Sequence, residues 1–298
     1  MGLGVPIVNA PMGGAAGGRL AAAVSRAGGL GMVGMGSSST AAVLDRELAA
    51  FDAPGLPLGI GLVHWVMKVD PGLLEVALAA RPALLSVSFG DDWTWVDTAH
   101  AAEVTVAAQV ADVESARRAA GAGVDVLVAR GAEGGGHGEP RIGTLPLLAE
   151  VLDAVDVPVL AAGGIATARA LAAVLAAGAS AAWVGTAFAV CTEALTGADA
   201  RARLLAAESD ATMTTRVFDI AQHYPWPATI PERVLRDEFA ERWDGREDEL
   251  SAAVAGRDHP VTVVNAGQGI GAVGEARTAA DLIASLCDGA AALLGRWR

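Results

Sequence analysis

One unit recurs along this 298-residue chain and constrains its fold more than any other feature. A short apolar run ends at glycine or a small polar residue, and an alanine-rich stretch with helical spacing follows. The phrases AGGLG, AGAGVD and AAGASAAW repeat the same order of helix end, glycine and buried run. Glycine there is the residue that closes a helix in the left-handed conformation. The runs that read as strands are Ile7 to Ala10, Leu30 to Val33, Leu58 to Leu62, Leu84 to Ser88, Val104 to Ala108, Val124 to Val128, Val157 to Ala161 and Ala182 to Val184. Between them lie helical stretches at Gly18 to Ala27, Ser39 to Phe51, Asp70 to Ala80, Trp95 to Ala101, Val113 to Ala120, Thr144 to Val155 and Thr167 to Ala177. Asp112 and Thr167 stand where helix N-caps are expected, whereas Ser115 looks idle as a cap. Strands alternating with helices through short connections imply a parallel sheet covered by helices. Eight such strands are the number that closes a (β/α)8 barrel. The irregular period argues for repeated βα units rather than a solenoid.

After Cys191 this grammar stops. Residues 192–260 are richer in charge, contain Trp226, Trp243 and HYPWPATIPERV, and read as helices plus a proline-rich loop. The expected architecture is therefore an α/β TIM barrel with a small, mainly helical second domain inserted before the C-terminal segment. Residues 1–191 and 261–298 form the barrel, residues 192–260 form a helical insertion or lid, and the final amphipathic helix returns to the barrel.

The apolar content of 53% and mean hydropathy of +0.42 raise the question of a membrane. No stretch reaches the roughly 18 to 20 uninterrupted apolar residues that a spanning helix needs. The start, MGLGVPIVNAPMGG, has neither the basic region nor the apolar region of a signal peptide, and Pro6 stands where a myristoylation motif wants Ser or Thr. A cytoplasmic location is expected. The net charge of −13 disfavours a nucleic-acid partner, because binding a phosphate backbone needs a basic footprint. Two cysteines, Cys191 and Cys287, lie far apart without metal-ligand spacing. Neither a disulfide framework nor a metal site is expected, and Cys191 reads as a buried structural thiol.

In a parallel barrel the active site lies at the C-terminal ends of the strands. The segments there are rich in glycine: Pro11 to Gly14 after the first strand, VARGAEGGGHGEP after the sixth, AAGGIAT after the seventh and VGTAF after the eighth. The last two sit where barrels bind phosphate through backbone N–H groups, which makes Gly163, Gly164, Gly185 and Thr186 the candidate cradle. No GxGxxG follows the first strand and no lysine accompanies the cradle as in a P-loop, which disfavours a Rossmann fold or an NTPase. A phosphorylated cofactor in the barrel mouth fits better, with Met12 and its glycines letting backbone approach a flat ring. His137 is the candidate acid/base group, since imidazole exchanges protons near neutral pH. Glu133 is placed either to orient that ring or as a solvated carboxylate. His64 is a candidate for the site lining and His223 for a lid; His100 reads as structural or exposed, and His259 has a weaker case.

Together PIVNAPMGG, LAAAVSRAGGLGMVG, GAEGGGHG, VPVLAAGGIATARALAAVLAAGASAAWVGTAF and the late NAGQGIG resemble the nitronate monooxygenase family over most of the chain. The resemblance implies an FMN-dependent TIM barrel with a small second domain. It implies oxidation of alkyl nitronates with O2 to a carbonyl compound and nitrite, with His137 as catalytic base. Ala10, Pro11 and Met12 match the loop beside the flavin. Gly135, Gly164 and the run Trp183 to Thr186 match positions that contact FMN, and Gln109 matches a polar residue near the ring. Two positions depart: Gly61 stands where the family commonly has Asn, and Arg130 where it has Gln. The first loses a side-chain hydrogen bond to the flavin. The second adds a fixed positive charge that favours an anionic reduced flavin or an anionic substrate. An alternative is an NAD(P)H-dependent FMN reductase of the same barrel acting on an enoyl thioester or a quinone, since flavin-dependent enoyl reductases share the glycine-histidine motif. A third is a barrel that binds a sugar phosphate without flavin. The partners implied are a small-molecule substrate and O2, with NAD(P)H and a homodimer left open and no nucleic acid or membrane.

Overall fold

The computed structural model describes residues 2–257 and 261–297, so His259 lies outside the described residues. Among the described residues there are eleven strands: β1 Ile7–Asn9, β2 Gly31–Gly34, β3 Leu58–Val63, β4 Leu84–Ser88, β5 Val106–Val110, β6 Val126–Arg130, β7 Gly136–His137, β8 Val159–Ala162, β9 Ala181–Val184, β10 Thr212–Thr215 and β11 Glu232–Leu235. Eight of them form one sheet in the order β1-β9-β8-β6-β5-β4-β3-β2, every pair parallel. Its two ends meet through a parallel bridge between Val8 and Leu30. There the Leu30 N–H donates to Ile7 O at 2.9 Å and the Asn9 N–H to Leu30 O at 3.2 Å. The Asn9 side chain adds a further tie, its Nδ2 donating to Met32 O at 2.9 Å and its Oδ1 accepting from Met32 N at 2.8 Å. The barrel is thus closed.

Inside it, Val8, Leu30, Met32, Leu84, Val128, Leu160 and Trp183 interdigitate as one cluster. Each fully buried aliphatic side chain contributes about 1.5–3 kcal/mol. A second, larger cluster lies between the strands and the surrounding helices. The strands at the fifth and sixth barrel positions begin two residues later than their apolar runs. The reason is helix capping: Val104 N–H donates back to Ala99 O at 3.0 Å and Val124 N–H to Ala119 O at 3.1 Å, so each valine closes the preceding helix instead of opening a strand. The Asp112 cap is reciprocal. Its Oδ1 accepts from Ser115 N–H at 2.7 Å, and the Ser115 hydroxyl, which looked idle in the sequence, accepts from Asp112 N–H at 3.2 Å. Thr167 caps the helix Ala168–Ala176 through Ala170 N–H at 3.1 Å. The helix expected over Asp70 to Ala80 is Gly72–Ala79; a further helix that was not expected, His64–Val69, precedes it, with Asp70 accepting from Gly72 N–H at 3.1 Å between them.

The helix Ala279–Leu294 packs on Ala168–Ala176 and Gly18–Arg26, which completes the outer layer. Between the barrel and this helix the chain carries Ala198–Leu205, Val217–Ala221, Glu238–Trp243 and Glu247–Val254 as helices. It also carries β10 and β11, where only helices and a loop were expected. These two pair antiparallel, and β11 pairs in turn with β7, so a two-residue strand from the loop after β6 becomes the edge of a separate three-stranded sheet. Among the described residues no helix is long and apolar enough to cross a membrane.

Candidate active site

The C-terminal mouth of the barrel opens into a cavity of about 490 Å³, within the usual range of about 300–1,000 Å³ for a small-molecule site. Ala10, Pro11 and Met12 come to it from the loop after β1, Gln109 from β5, Arg130 from β6, Trp183 from β9, and Gly163, Gly164, Gly185 and Thr186 from the loops after β8 and β9. Gly163 and Gly164 hold φ of +114° and +67°, a conformation that favours glycine. The N–H groups of Gly163, Gly164, Gly185 and Thr186 donate to no backbone carbonyl among the described residues. The Thr186 hydroxyl accepts from Gly267 N–H at 2.9 Å, which draws the 265–269 loop across the mouth. Four free N–H donors beside small, mostly apolar walls fit a phosphorylated, flat cofactor.

Arg130 determines the shape of the next wall. Its side chain is only 6% exposed, and its Nη2 donates to the carbonyls of Gly134, Gly135 and Gly136 at 2.8, 3.2 and 2.9 Å. Burial, and then the charge of Arg233, pull its pKa down to about 10, which still leaves a cation at neutral pH. Three loop carbonyls therefore fix the place of this positive charge, on a side chain that lines the cavity. The glycine run gives this guanidinium room: a Cβ on Gly134 would stand 2.9 Å from its Nε, and one on Gly138 would overlap it. At Gly135 the constraint is a neighbouring backbone, since a Cβ would lie 2.6 Å from Gly267 N. Glu133 does not orient His137. Its carboxylate accepts from Thr144 N–H at 2.9 Å and from the Thr144 hydroxyl at 2.9 Å, capping the helix Thr144–Leu152.

His137 is held by residues from the insertion. Its Nε2 lies 3.0 Å from both Oδ1 and Oδ2 of Asp219 on the helix Val217–Ala221. An ionised carboxylate can only accept, so Nε2 carries a proton, and in the neutral imidazole Nδ1 is then the acceptor. Trp226 stacks on the imidazole at 3.6 Å with 9° between the planes, and its Nε1 donates to Ser37 Oγ on the barrel at 3.0 Å. Phe89 meets both rings edge-on. Glu232, directly opposite His137 in the β11–β7 register, is 2% exposed and also lines the cavity. Burial, and secondarily the Asp219 charge, push its carboxyl well above the usual carboxylate range. His137, Asp219 and Glu232 offer donor atoms within 4.8 Å of one another.

Asp219, Trp226 and Glu232 were not identified from the sequence as site residues. The available signal was a lone carboxylate in each of two apolar contexts, RVFDIAQ and IPERVL. Conversely, Gly61 does not line the cavity. It sits beneath Pro11, and a Cβ at Gly61 would overlap the proline ring, so any side chain there is excluded by the β1 loop rather than traded for a flavin contact. His64 is buried away from the cavity, 3.8 Å from Asp92, and burial is the main cause of its lowered pKa. His100 pairs with Asp125 at 3.0 Å. His223 is exposed and lies 3.1 Å from Arg257 O, while its neighbours Gln222 and Tyr224 reach the cavity. Cys191 is fully buried and its thiol is pushed up to about 12, which removes it as a nucleophile.

The family model described as nitronate monooxygenase matches residues 55–289. A nitronate monooxygenase of Pseudomonas aeruginosa is 29% identical over 340 aligned positions that cover 97% of each chain. Four other curated relatives are spanned over only 50% to 66% of their length. Among solved structures, FabK from Thermotoga maritima superposes with a TM-score of 0.87 at 26% identity, covering 99% of this chain and 96% of that one. Nitroalkane oxidase from Streptomyces ansochromogenes does so with a TM-score of 0.81 at 30% identity, covering 98% of each.

Proposed function

The chain belongs to the nitronate monooxygenase family, and from that premise we propose that it is an FMN-dependent enzyme converting alkyl nitronates and O2 to carbonyl compounds and nitrite, with His137 as base. The observation that carries this reading is the His137–Asp219 pair, 3.0 Å apart, at a cavity whose far wall is the glycine cradle. The N–H groups of Gly163, Gly164, Gly185 and Thr186 would hold the FMN phosphate, and Ala10, Pro11, Met12, Gln109, Gly135 and Trp183 would surround the ring system. When bound, FMN supplies the electron acceptor that readies a nitronate for O2. In this reading His137 Nδ1 takes the α-proton of a neutral nitroalkane while the C–H electron pair passes into the nitro group, leaving the nitronate. Asp219 keeps the imidazole in the tautomer that can accept and balances the positive charge that forms, as a carboxylate does behind a basic histidine. Trp226 lies flat on the ring and keeps water from one of its faces. Residues 1–191 and 261–298 are assigned to the FMN-binding barrel and 192–260 to a lid that delivers Asp219, Trp226 and Glu232.

A second reading is favoured by the similarity to FabK, which has the higher TM-score of the two structures. It is an NAD(P)H-dependent FMN reductase acting on an enoyl thioester or a quinone. Purified protein incubated with FMN is expected to turn yellow, to keep its colour when mixed with NADH without oxygen, and to release nitrite from an alkyl nitronate in air. Rapid anaerobic bleaching by NADH with no nitrite release would replace the first reading with the second. A protein that takes up no FMN would exclude both.

A further inference from the structure

The antiparallel register puts Glu232 opposite His137 on one side and opposite Thr215 on the other, on the sheet face covered by Asp219. No described residue donates a hydrogen bond to its buried carboxyl. The titratable groups that face it are His137 from β7 and Asp219 from the helix Val217–Ala221, while β10 contributes only Thr215. Arg233, the next residue of β11, turns to the opposite face, where it donates to Ala132 O at 3.0 Å and to the Thr212 hydroxyl at 3.3 Å. Two buried carboxylates side by side cannot both ionise cheaply when the one basic group facing them is a histidine already bound to the first.

We propose that Asp219 and Glu232 hold one proton between them, with Glu232 as the neutral acid, and that Glu232 is thereby a positioning residue that fixes the charge an anionic substrate meets at His137. The proposal rests on the reading of His137 as the base. With Glu232 neutral, the trio carries a single negative charge before proton abstraction and none after it. Ionising Glu232 adds a second negative charge beside the nitronate and weakens its binding. The strong upward shift of the Glu232 carboxyl by burial and by Asp219 agrees with this charge state.

The test is an infrared difference spectrum of the folded protein at neutral pH, compared with that of E232Q. Wild type is expected to show the carbonyl stretch of a protonated carboxyl, E232Q to lack it, and Asp219→Asn to lose it at lower pH, because its neighbour no longer carries charge. With alkyl nitronate as substrate, KM in wild type should rise on the order of tenfold on the alkaline side, with kcat moving less, and E232Q should lack that rise. Absence of the carboxyl band in wild type, or an identical KM profile in E232Q, overturns the proposal. So does tight binding of Zn²⁺ or Mn²⁺ after chelation that E232Q abolishes, which would make the trio a cation site. The infrared measurement needs neither flavin nor substrate. A protein that shows the band but releases no nitrite would overturn the functional reading and still support the shared proton.

Discussion

At the scale of single residues, His137 owes its setting to groups that are remote in sequence: Asp219, 82 positions away, fixes the proton on Nε2, Trp226 covers one face, and Glu232 stands across the strand register. With His137 as the proposed base, removing the imidazole takes the base away without touching the glycine loops after β8 and β9. His137→Ala is expected to keep its flavin and to lose turnover on a neutral nitroalkane by about 10²- to 10⁴-fold, the usual contribution of a positioned base. Preformed nitronate should be affected far less, and unchanged nitroalkane turnover would take His137 out of the reaction. Glu232 also leaves a mark on stability. Its folded-state pKa lies above the unfolded value, so its contribution is fully present below the ordinary carboxylate range and is lost as pH rises through the raised value. Thermal melts of wild type should fall toward alkaline pH relative to those of Glu232→Gln, and parallel curves would contradict the shift. The sequence pointed to His137 because a histidine inside a glycine run at a strand end is conspicuous. Asp219 and Glu232 are ordinary acids until the fold places them beside it.

At the scale of elements, the βα units were legible because their signals are local. The caps at Asp112 and Thr167 act within a few residues, and each barrel strand is a short apolar run. The starts of β5 and β6 were not legible, since Val104 and Val124 serve the helix end and the strand approach at once. The cradle after β8 was legible as glycine, and the angles explain why it must be glycine. Gly164 at φ +67° has Glu133 Cβ only 3.2 Å from where its own Cβ would be. Gly164→Val forces a branched residue into a conformation it rarely adopts and presses on the Glu133 cap, at a cost of about 1–3 kcal/mol. The expected result is a folded protein that retains little flavin after saturation with FMN. Full flavin occupancy with unchanged melting would contradict the role given to this loop.

For the whole molecule, Trp226 is one of the residues that tie the insertion to the barrel. It is buried against the His137 ring and donates to Ser37 on the loop after β2. Trp226→Ala should destabilise the protein by about 3–5 kcal/mol, the range for deleting a buried large aromatic, as read from urea unfolding. Trp226→Phe should recover most of that loss, and equal midpoints for wild type and Trp226→Ala would show that the seal lies elsewhere. The closed barrel could be read from repetition along the chain. The three-stranded sheet could not, because one of its strands is two residues long and gains its identity only from a partner near residue 232.

That borrowed strand also fixes an order of events during synthesis. All eight barrel strands and the glycine loops after β8 and β9 have emerged from the ribosome once residue 186 is out, whereas β7 has no neighbour until β11 is made and folds back. Contacts that wait on such distant segments form late. On the proposed reading, His137 gains its counter-ion and its covering ring only once residues 219–235 are in place, so proton abstraction becomes available only as one of the last steps of maturation.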